Sequence, residues 1–225
     1  MAKAPAAPEL PLSDVVELFL YGLDAGLFHA ASPRPGSLQG WLVADELDQG
    51  RQIKHWRLCL RDIHPGAFLV LRNLLRALHA ERVVLRTSQD MSGGRPIANL
   101  PSQPYPPRAR TLPFPVSRSA DLSDGECNAV RLTFREPLDA PVEEKVIAGF
   151  EAWAYLLMLG GYLSDEAANK GRLGAAPNHP TLIDPHTVEM TFDVFNSDMA
   201  ALDAAVNLAL RLHQTMAPVE SLQFE

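Results

Sequence analysis

The chain has 225 residues, of which 47% are hydrophobic and 21% charged, and its net charge is −7. A chain of this length and composition buries a core without covalent staples, and its two cysteines, Cys59 and Cys127, do not make a disulfide framework. We therefore expect a globular protein of a reducing compartment, with one large domain or two small ones.

The charge is unevenly distributed along the chain. Residues 1–112 carry 13 Lys and Arg against 10 Asp and Glu, whereas residues 113–225 carry 7 against 17. The acidic half would repel phosphates, which argues against nucleic acid as a ligand. It would instead steer encounters with a partner whose surface is basic.

The first apolar stretch of the chain is not a targeting or membrane segment. It runs from 15 to 28 and contains Glu17 and Asp24, which the core of a signal peptide would not carry. No run approaches the roughly 18 to 20 apolar residues that cross a bilayer. We expect a cytoplasmic protein without a membrane partner. The apolar spacing over residues 14–27 fits a helix slightly better than the alternative, a strand.

Residues 1–87 are predicted to form an N-terminal α+β unit. A strand over 40–47, a turn at Asp48-Gln49-Gly50 and a second strand from about residue 53 are followed by a helix over 65–80 and a strand over 82–87. The second strand places Arg57 and Arg61 on one polar face. This face is a candidate for anion binding, and the alternative is an ordinary solvated or interface face.

Residues 88–122 are unusually rich in proline, with seven prolines between positions 96 and 115. Proline at this density removes backbone donors and prevents regular pairing. We interpret the segment as a linker, with a long functional loop as the alternative.

Residues 123–225 are predicted to form a C-terminal unit. Apolar and polar residues alternate over 130–135 and again over 188–195, which is typical of strands with one buried face. Helices are predicted over 141–159, ending at Gly160-Gly161, and over 198–213, followed by a strand over 219–224. If the first two strands are neighbours, Arg131 and Arg135 on one polar face can pair with Glu189 and Asp193 on the other.

Together these elements predict an α+β fold of two strand–helix–strand halves, with antiparallel sheets covered by helices on one face. This is the ferredoxin-like plan. Only the C-terminal half supports it well, and even there one strand is missing, because residues 163–185 have the pattern of a loop. The plan is shared by many unrelated functions, so it implies no activity.

Common catalytic and ligand-binding motifs are missing from the sequence. It has no Gly-rich phosphate loop and no Gly-x-Ser-x-Gly elbow, and its two cysteines cannot build a thiolate zinc site. Neither His29 nor His186 begins a His-x-Ser/Thr motif. We expect no cofactor and no bound metal.

The strongest chemical candidate is the loop over residues 178–186, which contains His179, Asp184 and His186. Imidazole and carboxylate groups together suit a divalent metal or acid–base catalysis. The alternative is that Asn-His-Pro and Asp-Pro are ordinary turn sequences.

Two functional hypotheses follow from these observations. The first is a non-catalytic protein-binding protein, such as an inhibitor, an immunity-type protein or an adaptor, whose acidic surface faces a basic partner. Glu143 and Glu144, at the start of a predicted helix, are its candidate contact residues. The second is a small-molecule enzyme that uses the His/Asp loop over the sheet.

Overall fold

The protein is represented by a computed structural model. It describes residues 12–28, 40–46, 52–58, 67, 70, 71, 73, 74, 83–87, 95–96, 111–119, 127–163, 174–197 and 199–225, with only the backbone of the four strands between 40 and 96. Helices and strands both occur, which confirms the α+β class.

The strands before residue 97 form a four-stranded antiparallel sheet with the order β2-β1-β3-β4. Gly40 pairs with Leu58 at the open end of the β1–β2 hairpin, both of whose strands were predicted, and the turn at 48–50 lies outside the described residues. The strands are β1 (Gly40–Glu46), β2 (Gln52–Leu58), β3 (Val83–Thr87) and β4 (Arg95–Pro96).

The remaining strands form a six-stranded sheet with the order β5-β10-β6-β9-β7, in which β8 also pairs with β9. Its members are β5 (Val116–Arg118), β6 (Ala129–Phe134), β7 (Ala175–Pro177), β8 (Thr181–Asp184), β9 (Thr187–Phe195) and β10 (Val219–Phe224).

Two sequence-based expectations about this sheet are wrong. The sheet is not wholly antiparallel, because β5 runs parallel to β10 at one edge. The segment 163–185 is not simply a loop, since it contains β7 and β8. Both strands are short and flank turns with proline, so they carry little alternating pattern.

The pairing of β6 with β9 confirms part of the side-chain prediction, for Arg131 and Glu189, whereas Asp193 accepts a hydrogen bond from Asn178. Arg131 lies opposite Glu189 in the register, and its guanidinium forms an ion pair with the Glu189 carboxylate. Arg131 also pairs with Glu225 at 2.6 Å, while Thr133 and Thr187 face each other on the same surface. Several polar side chains on the outer face of the sheet therefore pair with each other.

Three helices are described over their whole length, namely α1 (Leu12–Asp24), α2 (Ala140–Met158) and α3 (Met199–Thr215). The Asp139 carboxylate accepts a hydrogen bond from the Val142 backbone N–H at 2.9 Å and so caps α2. Gly160 follows the helix with a φ of 75°, a left-handed conformation that glycine adopts without steric cost. No described helix is long and apolar enough to cross a membrane.

The three helices and the inner face of the six-stranded sheet share one hydrophobic core. Its largest member is Trp153 on α2, which packs edge-to-face with Phe192 and donates a hydrogen bond from Nε1 to the Ala201 carbonyl at 3.0 Å. α1 joins the same core through the stacked rings of Phe19 and Phe28. The core thus fixes which face of α2 points outward.

Residues from the predicted N-terminal unit contribute to this core. Ala67, Val70 and Leu71 are helical and buried in it, and the Asn73 amide donates to the carbonyls of Gly161 and Leu163, both at 3.0 Å. The proposed division at residues 88–122 stays a prediction, because most of that segment lies outside the described residues.

Candidate binding cleft

An open cleft of about 690 Å³ lies along the N-terminal half of α2. One wall is the helix and the other is the segment that joins β7 to β8. The lining residues are Ala140, Glu143, Glu144, Ile147, Ala148, Glu151, His179, Pro180, Thr181 and Leu182.

The helical repeat explains why the three glutamates share this cleft. Residues three or four apart lie on the same face of a helix, and Glu144, Ala148 and Glu151 follow that spacing. The opposite face of α2 carries Phe150 and Trp153, which are buried. Burial of that face leaves the glutamates pointing away from the core.

The second wall is held in place by Asn178. Its backbone N–H donates to the Thr191 carbonyl at 2.8 Å, and its side-chain amide donates to Thr191 Oγ1 at 2.9 Å and to the Asp193 carboxylate at 3.3 Å. These bonds anchor the β7–β8 connection to β9 and so position His179 against α2. His179 Nδ1 lies 3.2 Å from Glu151 Oε1.

The cleft is negatively charged. No Lys or Arg occurs among the described residues that line it, and His179, with 68% of its side chain exposed, offsets Glu151 only when it is protonated. The field of Glu151 also reaches α1, where burial and this charge together raise the pKa of Tyr21. Glu143 lies in the first turn of α2, where the helix dipole favours an anion.

The structure separates the predicted loop residues into two groups. The backbone N–H of His186 donates to Asp184 Oδ1 at 2.7 Å, which lowers the pKa of that carboxyl. His186 Nδ1 lies 3.2 Å from the Phe134 carbonyl and must donate to it, since a carbonyl can only accept. Asp184 and His186 thus stabilise a turn, whereas His179 contacts Glu151. Within the described ranges no group of three or more His, Cys, Asp or Glu could hold a metal ion.

Sequence reasoning missed Glu151 and Thr181 as neighbours of His179. For Thr181 a signal existed, because His179-Pro180-Thr181 is itself a His-x-Thr stretch, and so is the stretch from His213 to Thr215. The second stretch ends α3, where His213 Nδ1 accepts a hydrogen bond from the Val219 backbone N–H at 3.0 Å. For Glu151 no local signal exists, since only the fold brings α2 to the β7–β8 connection.

The side chains of Arg57 and Arg61 lie outside what the structure describes. Cys127 is buried beside β6, and burial raises the pKa of its thiol to about 11. A thiol with that pKa stays protonated near neutral pH and is a poor nucleophile.

This arrangement suits a cationic side chain. The alkyl stem of a Lys or Arg can pack on Ile147 and Leu182 while its charged head pairs with the glutamates. Comparison with protein-family models, with curated proteins and with solved structures finds no match for this chain.

Proposed function

We propose that this chain is a non-catalytic protein-binding protein, such as an inhibitor, an immunity-type protein or an adaptor, and that its partner presents a basic surface to the cleft along α2. The observation that carries the proposal is the set of glutamates at 143, 144 and 151, which line one open cleft without a Lys or Arg among its described lining residues. An uncompensated anionic surface attracts a basic partner and sets its orientation.

The distribution of charge in the rest of the fold supports this choice. On the sheet, Glu189 and Glu225 both pair with Arg131, and Asp203 pairs with Arg118 at 3.3 Å. These three acidic residues of the second half thus have an arginine partner, whereas the glutamates of the cleft have no Lys or Arg among its described lining residues. Residues 113–225 as a whole carry 17 acidic against 7 basic residues.

The proposal includes the finer architecture and the location. Residues 123–225 would follow the ferredoxin-like plan with β5 as an added edge strand, which the antiparallel order β10-β6-β9-β8 supports. Such a fold hosts many functions, so the functional argument depends on the cleft alone. A cytoplasmic location is also proposed, in keeping with the free thiol of Cys127.

The test is capture of the partner from the native host with the full-length chain, followed by binding kinetics. We expect one stoichiometric partner with a basic contact surface, and an association rate that falls as salt increases, because salt screens the field over about 8 Å at physiological ionic strength. An association rate that does not respond to salt, or an acidic contact surface on the partner, would refute the proposal.

A second candidate is an enzyme that uses the same cleft. The specific observation in its favour is the 3.2 Å contact between His179 and Glu151, because a carboxylate that orients an imidazole is a common arrangement for a general base. The hydroxyl of Thr181 lines the same cleft. This hypothesis differs from the predicted loop enzyme, since Asp184 and His186 are engaged in the turn.

The His179→Ala variant separates the two candidates. Host metabolites incubated with the wild-type chain and followed by mass spectrometry should show no turnover if the chain only binds a partner. Turnover by the wild type that is lost in His179→Ala would establish the enzyme. Under the binding proposal the same variant keeps its partner affinity within about threefold, since an exposed histidine at the rim contributes little.

A further inference from the structure

The outward face of α2 carries a straight stripe of side chains that continues beyond the cleft. Its members are spaced alternately by four and three residues, which is the spacing of a coiled-coil seam. At 1.5 Å per residue the stripe is about 21 Å long. It consists of Glu144, Ala148, Glu151, Tyr155 and Met158.

The chemistry of the stripe changes along its length. Glu144 and Glu151 make its first half acidic, whereas Tyr155 and Met158 make its second half aromatic and apolar, with exposed fractions of 51% and 39%. Tyr21 of α1, 44% exposed and close enough to Glu151 to sense its charge, adds a second aromatic ring beside it. Tyr and Met are enriched in the cores of protein interfaces.

The hydrophobic core does not require these exposed side chains. The inner face of α2 already buries Val146, Phe150, Trp153 and Leu157. Within the described part of the chain the exposed end of the stripe is therefore left uncovered, and Tyr155 and Met158 are one helical turn apart, so that one partner element can contact both.

We propose that the docking element of the partner is an amphipathic α-helix that lies along this stripe, with Lys or Arg over Glu144 and Glu151 and with apolar side chains against Tyr155 and Met158. The inference rests on the proposed function, because it specifies the form of the basic partner. The glutamates favour a basic end on the partner helix because the charges are complementary. The exposed aromatic and thioether groups favour an apolar end.

A helix fits this surface better than the other forms a partner segment can take. An added strand binds at the edge of a sheet, whereas the stripe lies on a helix. Side chains at seam spacing accept the ridges of a second helix over about four turns. A second copy of this chain is a poorer occupant, because its stripe would set glutamates against glutamates or against Tyr155 and Met158.

The experiment uses the full-length chain and three synthetic, helix-stapled peptides of about 18 residues and identical composition, built from Lys, Leu, Ala and Gln. Two peptides carry an apolar stripe with the lysines at one end or at the other, and the third has a scrambled order. Binding is measured by fluorescence anisotropy at low and physiological salt. We expect one of the two ordered peptides to bind at least about tenfold more tightly than the scrambled peptide.

The variant pair Tyr155→Ala and Met158→Ala, made together, tests the apolar end. The double variant should bind the ordered peptide about tenfold more weakly than the wild type does and should bind the scrambled peptide equally well. The matched control replaces Ile183 and Val194 by alanine, because they are similarly exposed at 50% and 45% but lie on the sheet. All these side chains are exposed, so the variants should fold, which thermal melts will check.

The outcomes separate this inference from the proposed function. Equal binding of ordered and scrambled peptides, or no effect of the double variant, overturns the helix and leaves a salt-sensitive basic partner intact. Failure of every lysine peptide, together with a native partner whose association ignores salt, overturns both. Dimerisation of the wild type in sedimentation, lost in the double variant, would show that a second copy occupies the stripe and would also overturn the inference.

Discussion

The outer face of the six-stranded sheet and the outer face of α2 both carry glutamates, but only those of the sheet pair with an arginine. On the sheet, Arg131 lies between Glu189 and Glu225 and pairs with both, so that the three side chains together carry one negative charge instead of two. On α2, Glu144 and Glu151 share a cleft in which the one described cationic group is a titratable histidine. Charges that are paired within the chain produce little external field, whereas unpaired charges act over a Debye length.

The difference shows that a count of acidic residues does not locate a binding surface. What matters is whether an acidic side chain has a partner within the fold, and under the proposed function the unpaired ones attract the partner protein. Exposed ion pairs contribute roughly 0–1 kcal/mol each, so the sheet gains little stability from them. The main consequence of these ion pairs is that the sheet face presents less net charge to solvent.

The largest effect is expected at Trp153, which holds α2 against the core and so determines which face of the helix points outward. Trp153 fixes α2 from its inner side through contacts with Phe150 and Phe192 and a hydrogen bond to the Ala201 carbonyl. Trp153→Ala should destabilise the protein by about 3–5 kcal/mol, measured by urea unfolding, because it leaves a cavity and an unpaired carbonyl. Tyr155→Ala on the same helix is the matched control and should change stability by less than about 1 kcal/mol. A small effect of Trp153→Ala would mean that α2 is not held by this core.

The next effect concerns the α2 face alone. Reversal of charge at Glu143 and Glu144 to lysine should slow association with the basic partner by about tenfold at low salt, mainly through the on-rate. The control carries the same change of charge at Glu136 and Glu220, which are exposed and do not line the cleft. Association rates measured by stopped flow will compare them. Equal slowing by both pairs would mean that only the total charge of the protein matters, and that the cleft along α2 has no special part in association.

A smaller effect is expected for the paired charges of the sheet. A double-mutant cycle with Arg131→Ala and Glu189→Ala should give a coupling energy of about 0.2–1 kcal/mol in urea unfolding. The same two variants should leave the association rate with the partner unchanged. A strong effect on association would place the sheet face, and not α2, at the interface.

The smallest effect is the pH response of the Asp184 turn. The His186 backbone N–H lowers the pKa of this carboxyl, so its folded pKa lies below its unfolded pKa. Its contribution to stability is therefore fully present above the unfolded pKa and is lost as the pH falls through the folded pKa. Asp184→Asn should be less stable than the wild type at pH 7, and thermal melts should show this difference shrinking in acid. A difference that is constant with pH would show that the charge of Asp184 is not involved.

Local sequence patterns were sufficient for most of the regular elements. Alternation identified the strands around Val130 and Val188, and Pro141 and Gly160 placed the two ends of α2 to within a residue or two. These features succeed because strand faces and helix caps depend on residues close together in the chain. The short strands β7 and β8 were missed because three or four residues next to proline show no period.

The candidate site divides in the same way. Glu143 and His179 were both recognised from the sequence, each within its own segment, and the charge excess of residues 113–225 is a property of composition alone. The meeting of His179 with Glu151, the parallel edge strand β5 and the pairing of Arg131 with two acidic residues depend on which elements the core brings together. Burial of the Trp153 face of α2 is a long-range packing event, and it decided which glutamates point outward, where no described arginine pairs with them.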